Sequence, residues 1–359
     1  MGSIDFEKLD KLAKLSVSTG VALQKGQNLL ITAPSDALPL VRLIAKHAYK
    51  AGAGLVTPFF SDSEITLARY KYASDESFDV AADWLYKGMG EAFDNNTARM
   101  AIAGDDPMLL SDMDPERVAR ANKANSKAYK PARERITQFD INWNIIAWPG
   151  LAWAKRMFPD LAEGDAQTRI AEAIIMATRV NAEDPDASWK THNQTLKEKR
   201  EWLNQKDFKE IHFKGPGTDL KVGLADDHEW MGGASMAQNG VICNPNIPSE
   251  EVFTTPHALR VEGYVSSTKP LSHQGTLIDN IRVVFEKGSI TDAKASKGET
   301  VLKKVLESDE GARRLGEVAL VPNSSPISNS GLLFYNTLCL LYTSPSPRDK
   351  RQSRMPSSA

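Results

Sequence analysis

The sequence predicts an α/β amino-terminal domain with a mostly parallel sheet, followed by a β-rich α+β domain. In the first half, short apolar segments typical of buried strands alternate with amphipathic helical segments. Beyond a charged helical segment at about residues 185–206, the apolar residues recur with the period of two that strands require. With 359 residues, of which 41% are hydrophobic and 25% charged, the chain can bury one large core or two smaller ones. We therefore expect a first domain at residues 1–206 and a second at residues 207–338.

The first domain is expected to open with a helix, because residues 4–20 place apolar side chains at helical spacing. Four short apolar segments predict its strands, at residues 28–33, 55–60, 98–103 and 141–147. Helices are expected from the N-cap Ser35 to Gly52, at residues 63–73 and 77–92, and from Asp114, which precedes a proline at the first helical position. Strands joined by helices imply right-handed crossovers and therefore parallel pairing.

The second domain is expected to begin with a hairpin. Residues 208–213 and 219–224 alternate polar and apolar side chains and flank Gly215-Pro216-Gly217. Similar alternation predicts strands at residues 259–265 and 281–285, and the apolar spacing over residues 299–307 predicts a helix. These elements give the second domain its β-rich α+β character.

Composition excludes several classes of protein. The net charge is −2, which gives no reason to expect nucleic acid or an anionic membrane as a partner. The two cysteines, Cys243 and Cys339, are too few for a disulfide framework or a cysteine zinc site, and either could be a buried structural thiol. The first residues lack the apolar run of a signal peptide, and no segment approaches the roughly 18 apolar residues of a membrane span. A cytoplasmic protein is therefore expected.

A doubly wound sheet often binds nucleotides, and this alternative applies to the first domain. The candidate glycine turn, Gly52-Ala53-Gly54, lacks a third glycine and leads from a helix into a strand. A phosphate-binding turn leads from a strand into a helix. We therefore do not expect dinucleotide binding. The aromatic segment at residues 148–154, after the last strand, is interpreted as packing rather than as a binding site.

A proline-rich loop with a pair of acidic residues marks the second half of the chain. It runs Asn-Pro-Asn-Ile-Pro-Ser-Glu-Glu-Val-Phe-Thr-Thr-Pro-His over residues 244–257. Pro245 and Pro248 hold the backbone extended and turning, because proline fixes φ and disfavours the α region for the residue before it. Glu250 and Glu251 follow between this rigid loop and apolar residues, which suits a carboxylate aimed inward. Taken alone, such a pair more often lies in a solvated surface turn, because carboxylates are seldom buried unpaired.

Residues 244–256 resemble the first metal-ligand segment of the thermophilic-type metalloaminopeptidases, the family of aminopeptidase T, PepS and AmpS. A second landmark of that family is similar to residues 309–322, Asp-Glu-Gly-Ala-Arg-Arg-Leu-Gly-Glu-Val-Ala-Leu-Val-Pro, and residues 331–338 resemble the stretch that follows it. The resemblance implies a metal centre of two glutamates, two histidines and an aspartate. In it, Glu251 matches the first glutamate ligand and Glu317 the second. A shift of one residue would select Glu250 instead.

The resemblance also implies an activity. Members of this family are metal-dependent aminopeptidases, so the chain is expected to release amino-terminal residues from peptides with two divalent ions, which could be zinc, cobalt, manganese or magnesium. Two cations about 3.5–4 Å apart can activate water and polarise a peptide carbonyl. Family members are commonly homodimers, and a homodimer is expected for the intact protein. The remaining ligands and a tyrosine of the family match no residue of this sequence, so no catalytic residue is assigned.

Other potential ligands are interpreted as structural. The segment Asp226-Asp227-His228-Glu229 places them on consecutive residues, which cannot easily converge on one ion and lack the i, i+4 histidine spacing of a helical site. This segment is expected to form a turn. His257 and His273 are nearer to the glutamates in sequence but match no ligand of the family. Glu317, without the resemblance, would also be interpreted as a structural carboxylate beside Gly316.

The last residues differ in character from the rest of the chain. Residues 339–359 hold five serines, three prolines and four Lys/Arg against one aspartate, a composition typical of a disordered tail. The segment resembles no part of the family and looks like an adapter or vector sequence that replaced the true end; a natural truncation with a new tail is the alternative. In either case the second domain is expected to be incomplete, and the chain to bind metal weakly and lack activity. A non-catalytic α/β binding protein, with its glutamates as remnants, is the alternative function.

Overall fold

The computed structural model describes residues 4–273, 276–307, 309, 311–330 and 332. Contacts between Cα atoms divide these residues into two compact units. The first takes in the residues up to Asn193, the segment Ala234–Ser249 and the residues from Ser324 on, and the second takes in Gln194–Gly233 and Glu250–Asn323. The first change of unit falls after Asn193, within the charged helix that the sequence places at the end of the first domain. The domain limits at residues 206 and 338 stay predictions.

The first unit contains a parallel sheet of four strands. Its strands are β1 (Leu29–Pro34), β2 (Val56–Ser61), β3 (Ala98–Ala103) and β4 (Trp143–Ala147). They lie in the order β2-β1-β3-β4, and every neighbouring pair is parallel. The strand order changes direction at β1, so the carboxyl ends of β1 and β3 form the switch point of the sheet. The predicted parallel sheet is confirmed.

Helices cover both faces of this sheet. They are α1 (Phe6–Leu15), α2 (Leu38–Lys50), α3 (Ser63–Tyr72), α4 (Asp83–Asp94), α5 (Pro115–Thr137), α6 (Leu151–Met157), α7 (Glu163–Ala177) and the first part of α8 (Pro185–Lys206). On one face, Leu29 and Ile31 of β1 share a core with residues of α1, α2 and α7. On the other face, Leu30 packs with residues of α4 and α5. Successive residues of β1 thus point into two cores, as a strand buried on both sides requires.

Beyond α8 most of the structure is antiparallel. The strands are β5 (Glu210–Gly215), β6 (Thr218–Leu224), β7 (Ser235–Met236), β8 (Ile242–Cys243), β9 (Val252–Thr254), β10 (Pro256–Ser266), β11 (Leu271–His273), β12 (Thr276–Ile278), β13 (Arg282–Glu286), β14 (Ser289–Lys294) and β15 (Val318–Leu320), and the helices are α9 (Glu299–Leu306) and α10 (Pro326–Asn329). The main sheet has the order β14-β13-β10-β6-β5. Its core includes Val222 and Phe285 with apolar residues of α8 and α9. The β-rich second half is confirmed.

The predicted hairpin is confirmed at β5 and β6. Gly215 pairs with Thr218, and Gly217 between them has a φ of 74°. A left-handed φ of this kind strains residues that carry a Cβ but not glycine. The Gly-Pro-Gly sequence therefore closes the hairpin because its last glycine adopts the left-handed φ that the turn requires.

Two helix starts in the first unit differ from the prediction. The Ser35 hydroxyl donates to the carboxylate of Asp62 at 2.7 Å instead of capping a helix, and a 3₁₀ turn, Ser35–Ala37, precedes α2. The helix expected from residue 77 begins only at Asp83, because Phe78 is fully buried within a separate 3₁₀ turn, Asp75–Asp79. In both places a tertiary contact overrides the local helical signal.

Several predictions concern residues outside the described part of the chain. These are the tail at residues 339–359, the stretch at residues 331–338 apart from Leu332, and Cys339. Cys243 is buried, as expected of a structural thiol, and burial raises the pKa of its thiol to about 11. Among the described helices, none is both long and apolar enough to cross a membrane.

Candidate metal centre

The proline-rich loop is fixed along the edge of the parallel sheet. Asn246 forms a parallel bridge with Ile145 of β4. The Ile145 amide donates to the Pro245 carbonyl at 2.7 Å, and the Ile247 amide donates to the Ile145 carbonyl at 3.0 Å. Ile247 is fully buried in the first core. The loop therefore pairs with the edge strand β4, and its bends at Pro245 and Pro248 agree with the turning backbone predicted from its prolines.

Asparagine side chains anchor the start of the loop. Asn144 of β4 is fully buried, and its Nδ2 donates to the Asn244 carbonyl at 2.7 Å. The Asn244 amide donates to the Gly20 carbonyl at 2.8 Å, and its side chain donates to the Thr19 carbonyl at 2.9 Å. Gly20 has no room for a side chain, because a Cβ there would lie 2.8 Å from Oδ1 of Asn144. Two parts of the first unit that are distant in sequence thus hold the loop in place.

Both acidic residues at the end of the loop are buried. Glu250 is 2% exposed and Glu251 is 9% exposed. Within the described part of the chain, Oε2 of Glu251 has no hydrogen-bond partner, whereas Glu250 has interaction partners. Burial raises the pKa of the Glu251 carboxyl to about 7, from an ordinary value of 4.5. A buried, unpaired carboxylate is unfavourable, so a cation beside this oxygen would be stabilising.

Glu251 and Glu317 flank a short antiparallel ladder. Strands β9 and β15 pair so that Val252 lies opposite Leu320. Glu251 directly precedes β9, and Glu317 directly precedes β15. Extending this register by one residue places the glutamates at opposite ends of the ladder, about 13 Å apart along the strand direction at roughly 3.3 Å per residue.

The residues that follow the two glutamates indicate which face of the ladder the glutamates would share. Val252 and Val318, which follow them, are both buried in the second core. Neighbouring residues of a strand point to opposite faces, so Glu251 and Glu317 would share the face away from that core. Glu317 is half-buried. If the strand geometry continues for one residue beyond the ladder, both predicted ligands lie on one face, at a spacing that two long side chains and the ions between them would have to bridge.

The described residues supply carboxylates for a metal site but not a complete set of ligands. In residues 4–332, leaving aside the few positions that are not described, no three His, Cys, Asp or Glu side chains lie close enough together to hold an ion. A divalent cation takes about four to six donors. Glu251 fits the role of a ligand, because its oxygen is buried and unpartnered. The donors that would complete the shell are not among the described residues.

The other candidate ligands have different surroundings. Asp226 forms an ion pair of 2.7 Å with Arg260, and His228 bonds to a backbone carbonyl at 2.8 Å. Both belong to the turn that the sequence predicts, which is confirmed. His257 accepts a hydrogen bond of 3.1 Å from a backbone amide, and burial lowers the pKa of its ring. The side chain of His273 lies outside the described residues.

A feature that the sequence analysis missed is a cavity of about 750 Å³ in the first unit. It lies at the carboxyl ends of β1, β2 and β3, and the carboxylates around it are Asp36, Asp62, Glu64, Asp105, Asp106 and Glu163. Of the two basic residues that line it, Lys155 donates to backbone carbonyls and Arg156 pairs with Asp106 at 3.3 Å. This excess of carboxylates disfavours the phosphates of a dinucleotide. The sequence signal for this cavity was an acidic residue soon after each of three strands, namely Asp36 after β1, Asp62 after β2 and Asp105 after β3.

Comparison with known proteins finds similarity along most of the chain. The model of the thermophilic metalloprotease (M29) family matches residues 5–339. Aminopeptidase T of Thermus thermophilus is 50% identical over 330 residues, which are 92% of this chain and 81% of that protein. Aminopeptidase AmpS of Bacillus subtilis is 42% identical over 332 residues, with 92% and 81% covered. The solved structure of wild-type AmpT from Thermus thermophilus matches with a TM-score of 0.89 and 49% identity, over 92% of this chain and 82% of that one.

Proposed function

The chain belongs to the thermophilic metalloprotease (M29) family, and from this premise we propose that it has the activity of a metal-dependent aminopeptidase, with Glu251 and Glu317 as ligands of two divalent ions. The observation that supports the site is the carboxylate of Glu251, which is buried and has an oxygen without a partner among the described residues. The substrates would be peptides with a free amino terminus. Zinc, cobalt, manganese and magnesium are the candidate ions.

The residues of this chain would prepare the site in three ways. The loop anchored to β4 would fix the backbone before Glu251, and the β9–β15 ladder would fix the backbone after both glutamates. Burial of Glu251 excludes water, which strengthens its attraction to a cation. When bound, two divalent ions supply activation of water and polarisation of a peptide carbonyl.

Glu251 is preferred to Glu250 on two grounds. It takes the ligand position in the match to the family motif, and its Oε2 atom lacks a partner in the described structure, whereas Glu250 has interaction partners. The choice between them predicts which substitution inactivates the enzyme.

A chimera gives the direct test of this function. Residues 1–338 would be followed by the carboxyl-terminal part of the Thermus thermophilus aminopeptidase T, and peptide hydrolysis measured with and without zinc, cobalt or manganese. Metal-dependent release of amino-terminal residues is expected. Glu251→Gln and Glu317→Gln should each lower kcat/KM by at least about 100-fold, because even outer partners of metal ligands contribute 10- to 100-fold. The exposed Glu286→Gln is the control and should leave the activity unchanged.

Two results would reject parts of this proposal. Activity that survives exhaustive chelation would exclude a metal mechanism. Loss of activity in Glu250→Gln with a silent Glu251→Gln would shift the ligand position by one residue.

The absence of activity in the chain itself stays a prediction. The described residues bring no third ligand to Glu251 and Glu317, so weak binding of zinc, cobalt or manganese and no peptide turnover are expected. Calorimetric titration of the chain, run beside the peptide assay, measures both. Tight binding of two ions with turnover would contradict the prediction.

A cytoplasmic location and a homodimeric state also belong to the proposal. Light scattering of the chimera should give the mass of two chains, and a monomeric mass would reject the dimer. The alternative of a non-catalytic binding protein is favoured by one observation, the cavity at the carboxyl ends of the parallel strands. A folded chimera without metal-dependent hydrolysis would support that alternative.

A further inference from the structure

Ser249 directly precedes the acidic pair of the proline-rich loop, and a histidine of α8 binds its carbonyl. Nε2 of His192 lies 2.7 Å from the Ser249 carbonyl oxygen. On the other side of the ring, Nδ1 lies 3.2 Å from Nη2 of Arg179. Ser249 is the last residue of its segment of the first unit, and Glu251 follows two residues later.

These two contacts fix the protonation of the ring. A carbonyl oxygen only accepts hydrogen bonds, so Nε2 of His192 carries the hydrogen. A guanidinium only donates, so Nδ1 accepts from Arg179. The contacts therefore indicate the Nε2–H tautomer of His192, donating to Ser249 and accepting from Arg179.

A buried tryptophan holds both partners of this arrangement. Trp189 is fully buried, and its Nε1 donates to the Thr178 carbonyl at 2.8 Å. The Arg179 guanidinium lies over its ring at 5.3 Å, and the His192 ring meets it edge-on at 5.3 Å. Because both side chains pack against Trp189, few other rotamers are open to them. The packing therefore fixes the direction in which Nε2–H of His192 points.

We propose that His192 is a positioning residue for Glu251. Through the Ser249 carbonyl it fixes the backbone just before the acidic pair, and Arg179 keeps the imidazole in the form that can do so. The metal-binding part of this inference rests on the proposed function. The tautomer and the restraint on the loop do not.

The tautomer can be tested on the chain itself. A long-range ¹H–¹⁵N spectrum of protein labelled with ¹⁵N-histidine, with His192→Gln to assign the signal, should show His192 protonated at Nε2 and bare at Nδ1. A protonated Nδ1, in either a neutral or a charged ring, would overturn the inference. This measurement needs no metal and no variant other than the one used for assignment.

Two variants separate positioning from simple packing. His192→Phe keeps a ring against Trp189 but removes the donor, whereas His192→Gln offers an amide that can donate to the Ser249 carbonyl. Amide hydrogen exchange at residues 249–253 should quicken at least tenfold in His192→Phe and recover in His192→Gln. His212→Phe, at an exposed histidine of β5, is the matched control and should leave the exchange at residues 249–253 unchanged. Unchanged exchange in His192→Phe, or equal acceleration in both variants, would refute the restraint.

Cobalt affinity of the chimera with the Thermus thermophilus carboxyl-terminal part, measured by calorimetry, completes the test. His192→Phe should weaken binding by about 10- to 100-fold, the range for outer partners of metal ligands, and His192→Gln should restore most of it. A cobalt affinity that depends on Glu251 but is unchanged by His192→Phe would reject the positioning role and leave the proposed function intact. No Glu251-dependent binding, together with the predicted tautomer and exchange, would reject the metal site and leave the restraint on the loop intact.

Discussion

A carboxylate as deeply buried as that of Glu251 destabilises a protein that has no cation beside it. The side chain is 9% exposed, and one of its oxygens has no partner in the described structure. Such groups reduce the penalty by holding a proton, which is why burial moves the pKa of this carboxyl to about 7. In metal-free protein, this residue should therefore make stability depend on pH.

The dependence has a definite sign. Below the ordinary pKa of 4.5 the carboxyl is protonated in both folded and unfolded chains, and stability does not change. Between pH 4.5 and about 7 the unfolded chain ionises first, so the free energy of unfolding falls as pH rises. The total loss is about 3 kcal/mol and is complete above the folded pKa. Glu251→Gln cannot ionise and lacks this loss.

Urea unfolding of chelator-treated protein from pH 4 to 8.5 measures the effect. The stability of the wild type relative to Glu251→Gln should decline by about 3 kcal/mol over this interval. Excess cobalt should reduce the decline, because a cation favours the ionised form. A difference that stays constant with pH would mean that Glu251 ionises normally in the folded chain.

At the scale of elements, the loop at residues 244–248 depends on contacts that no local pattern shows. Its prolines predict an extended backbone, but its place beside β4 is set by Asn144, a hundred residues earlier. The amide of that side chain satisfies the Asn244 carbonyl in a buried site. Local sequence thus determines the conformation of the loop, whereas tertiary contacts determine its position.

Removing this contact should loosen the loop. Asn144→Ala leaves the Asn244 carbonyl without its side-chain donor, and the expected cost is about 1–3 kcal/mol. Urea unfolding gives the loss of stability, and hydrogen exchange should quicken first at residues 243–249. Asn95→Ala, which removes an exposed bond to a neighbouring carbonyl at the end of α4, serves as the control and should cost less. Similar losses in the two variants would show that the Asn144 contact is not special.

Elements with a clear period or a short apolar run could be predicted from the sequence, and very short ones could not. The hairpin at β5 and β6 and the start of α5 after Asp114 follow from local signals. By contrast α7 was not predicted, although its exposed residues Asp165, Arg169 and Glu172 recur at helical spacing opposite a buried apolar face. Strands β9 and β15 have three residues each, too few for a pattern, and exist because they pair with each other.

The same limit applies to the site. A resemblance in sequence selects Glu251 and Glu317, but only the structure shows that the strands directly after them, β9 and β15, pair with each other. The role inferred for His192 could not be read from sequence at all, because Arg179, Trp189 and Ser249 meet it only in the fold. Contacts between residues of distant segments leave no period or spacing to detect.

At the scale of the whole molecule, the described chain passes between its two units four times, yet each unit has its own core. The core of the first joins the parallel sheet to α1, α2 and α7, and that of the second joins the antiparallel sheet to parts of α8 and α9. Separate cores commonly give separate cooperative units, so unfolding need not follow a two-state transition.

Matched cavities in the two cores would test this division. Ile174→Ala in the first core and Phe285→Ala in the second both truncate a side chain that is 1% exposed, and should cost about 2–5 and 3–5 kcal/mol respectively. Hydrogen exchange in mild urea should show the greatest loss of protection in the unit that carries the substitution. For Phe285→Ala this means residues 194–233 and the described part of 250–323; for Ile174→Ala it means the parallel sheet and its helices. If either substitution exposed both units to the same extent, the two cores would have to unfold as one cooperative body.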